Sequence, residues 1–483
     1  MASVDKASVR EQLDTLKAQY EALCAEGKMG AESRTLFQGL LTLIELLMAV
    51  FMEKNTPKTA RNSGLPPSQT AKEQAPASRS GTKSKGAEPE TARSPNTRTI
   101  ETAAVAAVDS CAGCGEALGA TPALEHERRT RIDIVFEKTL EHVDAEVKQC
   151  PRCQTQTKGT FPQELAGQAQ YGPGIKAYVL NLLVAQMLSL KRVQQSVQTL
   201  IGRALSEASI LKYVMELHHA LAAWEQSAKD QLLEQPAMHV DETSLRVDRK
   251  NHWIHVYAAG NITLKVLHPK RGQEAINAIN IIPPYEGYII HDCWASYLAY
   301  NQCGHGLCGA HLLRELTHAV EANGYRWAAD LKRLLQDACA QVAERDAKRL
   351  TDAEYKKLRK RYRTILTQGG KELPPIPPKP EGKRGQTAKP DAHNLWERLK
   401  RHEQAVLLFA HSPDVPFTNN RAERDLRPAK VKQKVSGCFR TRQYAEAYCR
   451  ISSYLQTMTH HGYNPFVAIQ MALSGKLYEE GGE

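Results

Sequence analysis

The spacing of apolar residues predicts helices at the N-terminal end of the chain. Apolar side chains recur three and four positions apart over residues 5–27 and again over 31–53, and glycines separate the two runs. Neither predicted helix has a core of its own. We therefore expect a helical hairpin or coiled coil over residues 1–54, which either dimerises or packs on the rest of the chain.

Helical periodicity returns over residues 161–233. Gly202 ends an apolar run that begins near residue 172, and Ser206 is a suitable N-cap for the run that follows. A helix, a turn containing glycine and a second helix are typical of a helix-turn-helix DNA-binding module. A helical bundle produces the same pattern, so both interpretations stay open.

A strand pattern replaces the helical one after residue 236. Short β-rich runs over 237–248, 252–260 and 261–269 predict an antiparallel meander, which an amphipathic helix, a buried strand and a strand–helix pair follow. This order predicts a multidomain α/β protein whose mixed sheet carries helices on its faces. The predicted boundaries are a core at 234–318, a helical insertion at 319–411, the last part of the core at 412–440 and C-terminal helices at 441–483.

Composition and charge narrow the class of partner. The 483 residues are 42% apolar and carry a formal net charge of +11. Because lysine and arginine neutralise phosphates, DNA is the first expected partner and an anionic membrane the second. The composition of residues 55–105 predicts a disordered basic linker. No apolar run approaches the ~20 residues of a membrane-spanning helix and no secretory signal opens the chain, so a cytoplasmic location is expected.

The cysteines favour metal binding over disulfides. Eleven cysteines, an odd number, occur without an export signal, which indicates reduced thiols or metal ligands. Two C-x-x-C motifs, CAGC and CPRC, enclose a polar stretch within residues 106–160. Paired knuckles of this kind usually close a tetrahedral structural zinc site, and accidental pairs of free cysteines are the alternative. The predicted zinc ligands are Cys111, Cys114, Cys150 and Cys153.

Two aspartates are placed where a sheet could bring them together. Carboxylates that converge on two Mg²⁺ ions about 3.5–4 Å apart can stabilise the attacking and leaving oxygens of a phosphodiester. Asp241 lies within the first strand, and Asp292 lies at the C-terminal end of the buried strand, where ligands bind in open α/β sheets. A solvated edge strand is the alternative for Asp241, and a helix N-cap is the alternative for Asp292.

The segment TNNRAERDLRP, residues 418–428, offers a third acid. Its pattern predicts a short helix in which Glu423 lies at the margin of the apolar face, whereas Asp425 points with Arg421 toward solvent or a ligand. Glu423 is therefore the better candidate for a metal ligand facing the sheet. A capping box that starts at Asn420, or an ion pair with an arginine, would explain Glu423 without metal.

These motifs together resemble one family. DET (241–243), HDCWASY around Asp292, CGAH (308–311) and TNNRAERDLRP are similar, in order, to the catalytic segments of IS66-family insertion-sequence transposases. The N-terminal helices, the paired C-x-x-C knuckles and the closing segments VKQKVSGCF and HHGYNPF are also similar to that family. The sequence departs from the family pattern after DET, where proline is often found, and at Cys293, where many relatives have a small residue.

The resemblance implies a DDE transposase with an RNase H-like catalytic core, a helical insertion and a zinc-knuckle module, to which the helical pattern of residues 161–233 adds a helix-turn-helix-like module. In such an enzyme two Mg²⁺ or Mn²⁺ ions would be bound by Asp241, Asp292 and Glu423. The enzyme would cut at the terminal inverted repeats of the element and transfer the strand into target DNA. A homodimer or higher oligomer, accessory proteins of the same element and a location at the bacterial nucleoid are expected with it.

Further basic and metal-ligating residues accompany the motifs. A cationic run beside Glu423 is suited to gripping DNA phosphates, although a solvated helix face is the alternative. This run consists of Arg421, Arg424, Arg427, Lys430, Lys432 and Lys434. Cys303, His305, Cys308 and His311 could form a second zinc site, but we favour a structural role for Cys308 and His311 between a strand and its helix.

Two other classes of function are compatible with parts of the sequence. A non-catalytic DNA-binding regulator would need the zinc, helix-turn-helix and dimerising modules, and it would tolerate alanine at all three acids. A glycosidase with paired carboxylates would explain neither the charge nor the knuckles, and the chain has few aromatic residues to stack on sugars.

Overall fold

The structure is a computed structural model. It describes residues 6–54, 58–59, 61–62, 104–131, 137–162, 165, 167, 170–376 and 389–477. Most of the predicted linker lies outside these residues. The chain divides into two compact units, the first formed by Met1–Ala87 and Leu221–His461, the second by Glu88–Ala220 and Gly462–Glu483.

A five-stranded mixed sheet forms the centre of the first unit. Strands β3 (Ala237–Val247), β4 (Lys250–Ala259) and β5 (Ile262–His268) are antiparallel neighbours, and this confirms the predicted meander. Strand β6 (Tyr288–His291) pairs in parallel with β3, and β7 (Gly304–Leu307) pairs in parallel with β6. The strand order is therefore β5-β4-β3-β6-β7.

Helices cover this sheet and keep its central strands buried. Helix α14 packs on β5, α13 crosses β3 and β4, and α6 contacts β4 and β5. The predicted amphipathic helix α7 and the strand–helix pair β7–α8 are confirmed. The bounds are α6 Ala222–Glu234, α7 Gln273–Ile279, α8 Gly309–Asn323, α13 Asn420–Ser436 and α14 Arg442–His460.

The helical insertion has a hydrophobic core that continues into the sheet. Trp327 and Tyr362 are buried in it, and the Tyr362 hydroxyl donates a hydrogen bond of 2.9 Å to the Leu399 carbonyl. A side chain at Gly369 would overlap the Trp327 ring, so the close approach of the two helices requires glycine there. The helices are α9 Arg326–Ala343, α10 Asp352–Glu372, α11 Asp391–Arg401 and α12 Glu403–Leu407, followed by a 3₁₀ turn at Leu408–Ala410.

The two predicted N-terminal helices are present as α1 (Lys6–Ala25) and α2 (Ala31–Lys54), and both contact α8. Packing on the rest of the chain is therefore observed, but it leaves part of the apolar face uncovered. None of the described helices is long and apolar enough to cross a membrane. The side chains that stay more than half exposed on α2 include Leu36, Leu40, Leu43 and Leu47.

The second unit is mainly helical, and it corrects one prediction. The run from residue 172 to Gly202 is not one helix, because the chain leaves helical geometry at Met187, whose φ is +56°. Gly202 ends the following helix in a left-handed conformation, and the Ser206 hydroxyl accepts the Ser209 N–H at 3.0 Å, as predicted. The elements are β1 Val147–Gln149, β2 Gln156–Lys158, α3 Pro173–Leu180, a π-helical turn Asn181–Ala185, α4 Leu190–Ile201, α5 Glu207–Ala220 and α15 Pro465–Leu473.

One lysine of the sheet is buried between β5 and α14. Lys265 is 1% exposed, and its ammonium group donates a hydrogen bond of 2.7 Å to the Ser452 hydroxyl. Burial lowers the pKa of Lys265 to about 8, although the nearby Asp425 opposes the shift. This charge is a cost to the folded state at neutral pH.

Lys265→Met is therefore expected to raise the free energy of unfolding at pH 7 by about 1–2 kcal/mol. Above pH ~8 the folded wild type loses its proton while the unfolded chain keeps it, so the wild type gains stability and the advantage of the variant shrinks. Urea unfolding of both proteins from about pH 7 to pH 10 checks this. The exposed Lys250→Met serves as control, and an advantage that does not change with pH would contradict the expectation.

Candidate active site

The sheet brings Asp241 and Asp292 close together on neighbouring inner strands, β3 and β6. His239 of β3 is paired with Ile290 of β6 in the parallel register, and each aspartate lies two residues further along its own chain. Asp292 accepts the Trp294 N–H at 3.1 Å, so it stabilises a turn rather than a helix N-terminus. The two carboxylates therefore lie close together at the point where the parallel pairing of β3 with β6 ends.

Helix α13 is attached to the same strand through Asn419. The Asn419 side chain is paired with the His239 ring at 2.9 Å and donates to the Val240 carbonyl at 2.8 Å. It therefore does not cap the helix, and the capping box considered at Asn420 does not form, because α13 begins one residue earlier than that box requires. The attachment leaves Glu423 in the first turn of α13, where its charge interacts with those of Asp241 and Asp292.

Neighbouring carboxylates raise the pKa of two of the three acids, Asp241 and Glu423. Burial, then the charges of Glu242, Asp292 and Glu423, hold the pKa of Asp241 well above its usual range. Burial also raises the pKa of Asp292 and of Glu423, and the charge of Asp292 contributes at Glu423 while Arg314 and Arg427 oppose it. Carboxylates gathered in this way are stabilised by divalent cations, and their oxygen atoms are the donors that Mg²⁺ prefers. Their donor type therefore fits the expected metal, although among the described residues the three carboxylates do not form a group whose donor atoms all lie within 4.8 Å of one another.

A fourth acid, Glu242, is held by the protein itself. Its carboxylate forms an ion pair with Arg271 at 2.7 Å and accepts a hydrogen bond of 2.6 Å from the Tyr297 hydroxyl. The Arg271 guanidinium lies over the rings of Trp253 and Trp294, at 5.0 and 4.4 Å from their centroids. Arg271 was not among the predicted site residues. Glu242 lies on the buried face of its strand, and a buried acid of this kind indicates a cationic partner.

Cys308 and His311 border the acid cluster. The Cys308 thiol accepts the Asn419 N–H at 3.1 Å, and this fits the predicted role between strand and helix. The His311 Nδ1 atom lies 3.5 Å from Glu423 Oε1, and burial with nearby arginines lowers the pKa of His311 to about 4, so the imidazole is neutral. His305 is instead paired with His291 at 3.0 Å, away from this group.

Half of the predicted DNA-binding cations contact the protein itself. Arg421 donates to the carbonyls of Gly260 and Ile262, Lys430 donates to the Ser244 carbonyl at 3.0 Å, and Lys432 is 7% exposed. The side chains of this run that are exposed are Arg424, Arg427 and Lys434.

Asp425 does not face solvent, and that prediction is wrong. It is 3% exposed and accepts a hydrogen bond of 2.7 Å from the Thr263 hydroxyl. The prediction of a short helix within residues 418–428 is also wrong, because α13 continues past Pro428 to Ser436. Proline removes one N–H from the helix, and the carbonyl that loses its partner belongs to Arg424 on the exposed side, where water can replace it.

The two C-x-x-C motifs form matching turns. In each turn the N–H four residues after the first cysteine donates to that cysteine's carbonyl at 2.9 Å, from Gly115 to Cys111 and from Gln154 to Cys150. Backbone N–H groups lower the pKa of Cys111, and hydrogen bonds from Thr155 lower that of Cys153 to about 7. Such turns present thiolates, so these donors fit zinc, although the two pairs do not converge among the described residues.

The first unit thus defines a class of protein: a mixed α/β domain in which a five-stranded sheet and an attached helix carry three acidic side chains whose charges interact. The model of one family, the transposase IS66 family, matches residues 168–447, more than half of the chain, and includes all three acids. The chain belongs to the IS66 transposase family. Among curated proteins, none matches it significantly.

Proposed function

We propose that the chain is a DDE transposase that binds the terminal inverted repeats of its element and catalyses metal-dependent strand cleavage and transfer. The observation that carries the proposal is the proximity of Asp241, Asp292 and Glu423 where the parallel pairing of β3 with β6 ends, since the charge of Asp292 raises the pKa of both Asp241 and Glu423. A mixed sheet with an antiparallel meander extended by two parallel strands also supports an RNase H-like core.

The three acids are held in position by different parts of the fold. Asp241 and Asp292 are fixed by strand register, and Glu423 is fixed by the bonds of Asn419 to the sheet. Mg²⁺ or Mn²⁺ bound here would supply positive charge for the attacking and leaving oxygens of the phosphodiester. The carboxylates would orient the metal ions, while Arg271 neutralises Glu242 and keeps it outside the ligand set.

The test is cleavage of DNA that carries the element's ends, with Mg²⁺ or Mn²⁺ and with the element's accessory proteins added. Wild type should cut, and Asp241→Asn should not. Asp248→Asn is a matched control, because Asp248 lies exposed just beyond the end of the same strand. Equal DNA binding without cutting by any of the three proteins would favour the non-catalytic regulator.

The exposed cations of α13 provide a surface for DNA phosphates. Arg424, Arg427 and Lys434 recur at helical spacing and therefore lie on one side of the helix that carries Glu423. Arg424→Gln and Arg427→Gln are each expected to weaken DNA binding about 3–10-fold. Each should also reduce the slope of the logarithm of the binding constant against the logarithm of salt concentration by about the amount that one phosphate contact contributes. Binding measured over a range of salt concentrations checks this. Arg421→Gln should instead lower the melting temperature and leave the salt dependence unchanged, because Arg421 binds backbone carbonyls.

The matching knuckles support a structural zinc ion bound by Cys111, Cys114, Cys150 and Cys153. Cys111→Ser and Cys153→Ser are each expected to remove about one equivalent of tightly bound zinc from the full-length protein. Atomic emission measurements after dialysis check this. Cys438→Ser is the control, since Cys438 is an exposed cysteine outside both knuckles. Unchanged zinc content in the knuckle variants would exclude the site.

Helix α2 supports self-association. Leu36, Leu40, Leu43 and Leu47 follow the alternating four- and three-residue spacing of a coiled coil, and each is more than half exposed. A second copy of the chain would cover this stripe. A dimer or higher oligomer also suits an enzyme that must act on two element ends, and a location at the nucleoid follows from DNA as substrate.

A further inference from the structure

Cys308, His311 and Glu423 form a group with the donor types of a transition-metal site. One sulfur, one imidazole nitrogen and one carboxylate oxygen lie within 4.8 Å of one another, and they are the one such group of three among the described residues. Magnesium prefers oxygen ligands, whereas a thiol and an imidazole favour zinc and similar ions. This donor set therefore differs in chemistry from the three acids proposed to bind magnesium, although the two sets share Glu423.

Two of these donors are buried without hydrogen bonds. His311 Nδ1 and Glu423 Oε1 have no hydrogen-bond partner although solvent does not reach them. Leaving buried polar atoms unsatisfied is unfavourable, so a ligand for both would stabilise this arrangement. Their separation of 3.5 Å agrees with the roughly 3.3 Å between two ligand atoms of a tetrahedral zinc ion.

One contact of Cys308 favours a metal-bound thiolate. Cys308 precedes α8 and its sulfur accepts the Asn419 N–H, a contact that stabilises negative charge on sulfur and opposes the rise in the pKa of Cys308 that burial causes. His311 is one helical turn further on, so strand end and first turn present both side chains to Glu423. The nearest cation to Glu423 is Arg314, at 4.0 Å, which leaves the carboxylate free to turn toward a metal ion.

We propose that Cys308, His311 and Glu423 form a second metal site, selective for a thiophilic divalent ion such as Zn²⁺, whose occupancy withdraws Glu423 from the magnesium centre and inhibits strand cleavage. The inhibitory part rests on the proposed function of Glu423 as a catalytic ligand. The site itself does not, because its ligands are defined without DNA. A fourth position is left for water, as in zinc sites with three protein ligands.

Cobalt spectroscopy on the full-length protein tests the site directly. The two C-x-x-C knuckles are first filled with one equivalent of Zn²⁺, and Co²⁺ is then added. Wild type should show a thiolate-to-cobalt charge-transfer band and the intense visible bands of tetrahedral Co²⁺, which excess Zn²⁺ removes and excess Mg²⁺ does not. Absence of a thiolate band, or removal of the bands by Mg²⁺, would overturn the proposal.

Variants separate ligation from folding. Cys308→Ala should abolish the charge-transfer band, and His311→Gln, which retains the thiol, should weaken Co²⁺ binding by at least about tenfold. Cys303→Ala is the matched control, because Cys303 is also buried nearby but outside the group. Circular dichroism confirms that each variant is folded. Equal spectra in wild type and folded Cys308→Ala would refute the assignment.

Inhibition is measured as the ratio of cleavage with and without micromolar Zn²⁺ within each protein. Zinc should lower cleavage by wild type and by Cys303→Ala, and His311→Gln should lose most of this sensitivity. Equal sensitivity in His311→Gln would refute the regulatory role. If the cobalt bands form but Asp241→Asn cleaves normally, the metal site stands and the proposed catalytic function fails.

Discussion

Glu423→Gln is expected to reduce metal-dependent strand cleavage by at least about 10³-fold, because a ligand that positions charge at the phosphodiester contributes several kcal/mol to the transition state. The fold should remain intact, since Glu423 contributes no hydrogen bond to the sheet or to α13 through Oε1. Without metal the variant should be at least as stable as wild type, because a charge is removed from a cluster of acids.

Two measurements are needed for this variant. Cleavage of DNA with the element's ends gives the loss of activity, and thermal unfolding with increasing Mg²⁺ gives the loss of metal binding. Wild type should be stabilised by Mg²⁺ more strongly than Glu423→Gln, since ligand binding to the folded state raises the melting temperature. Glu446→Gln changes a partly exposed glutamate that is paired with Arg442 on α14; it is the control and should match wild type in both measurements. Cleavage within tenfold of wild type would remove Glu423 from the ligand set.

The aspartates of this site could be predicted because strands report directly on their environment. Alternation along β3 separates Asp241 from the buried Val240, and an apolar run that ends at Asp292 marks the end of a central strand. Parallel pairing then makes the two residues neighbours. The pattern of polar and apolar positions was therefore sufficient for the strands and for the positions of the two aspartates on them, whereas their proposed role came from the family resemblance.

The orientation of α13 could not be predicted in the same way. A capping box was considered at Asn420, but the helix is positioned through the preceding residue, Asn419, whose side chain is paired with His239, 180 residues away in the sequence. Local capping rules cannot include a partner at that distance. The apolar residues Ala422 and Leu426 define which side of the helix is buried, but they do not show that burial extends to Asp425. The depth of a helix depends on the whole packed sheet, which short sequence windows do not contain.

Asp425→Ala is expected to lower the free energy of unfolding by about 3 kcal/mol, because it removes one partner from a buried polar network. Thr263 would lose the acceptor of its hydroxyl, and the buried ammonium of Lys265 would lose a nearby negative charge. Urea unfolding measures the loss. The effect should be one of stability, so cleavage per folded molecule at low temperature should stay far closer to wild type than that of Glu423→Gln.

A double-mutant cycle identifies the cause of this loss. If the cost of Asp425→Ala comes mainly from stranding the charge of Lys265, the same substitution in a Lys265→Met background should cost about 1–2 kcal/mol less. The remaining cost would reflect the hydrogen bond from Thr263, which Thr263→Val tests separately. Additive effects of Asp425→Ala and Lys265→Met would show that the two charges do not interact. The two acids of α13 would still differ in their effects. Substitution of Glu423 should remove catalysis, and substitution of Asp425, two residues further on, should remove stability.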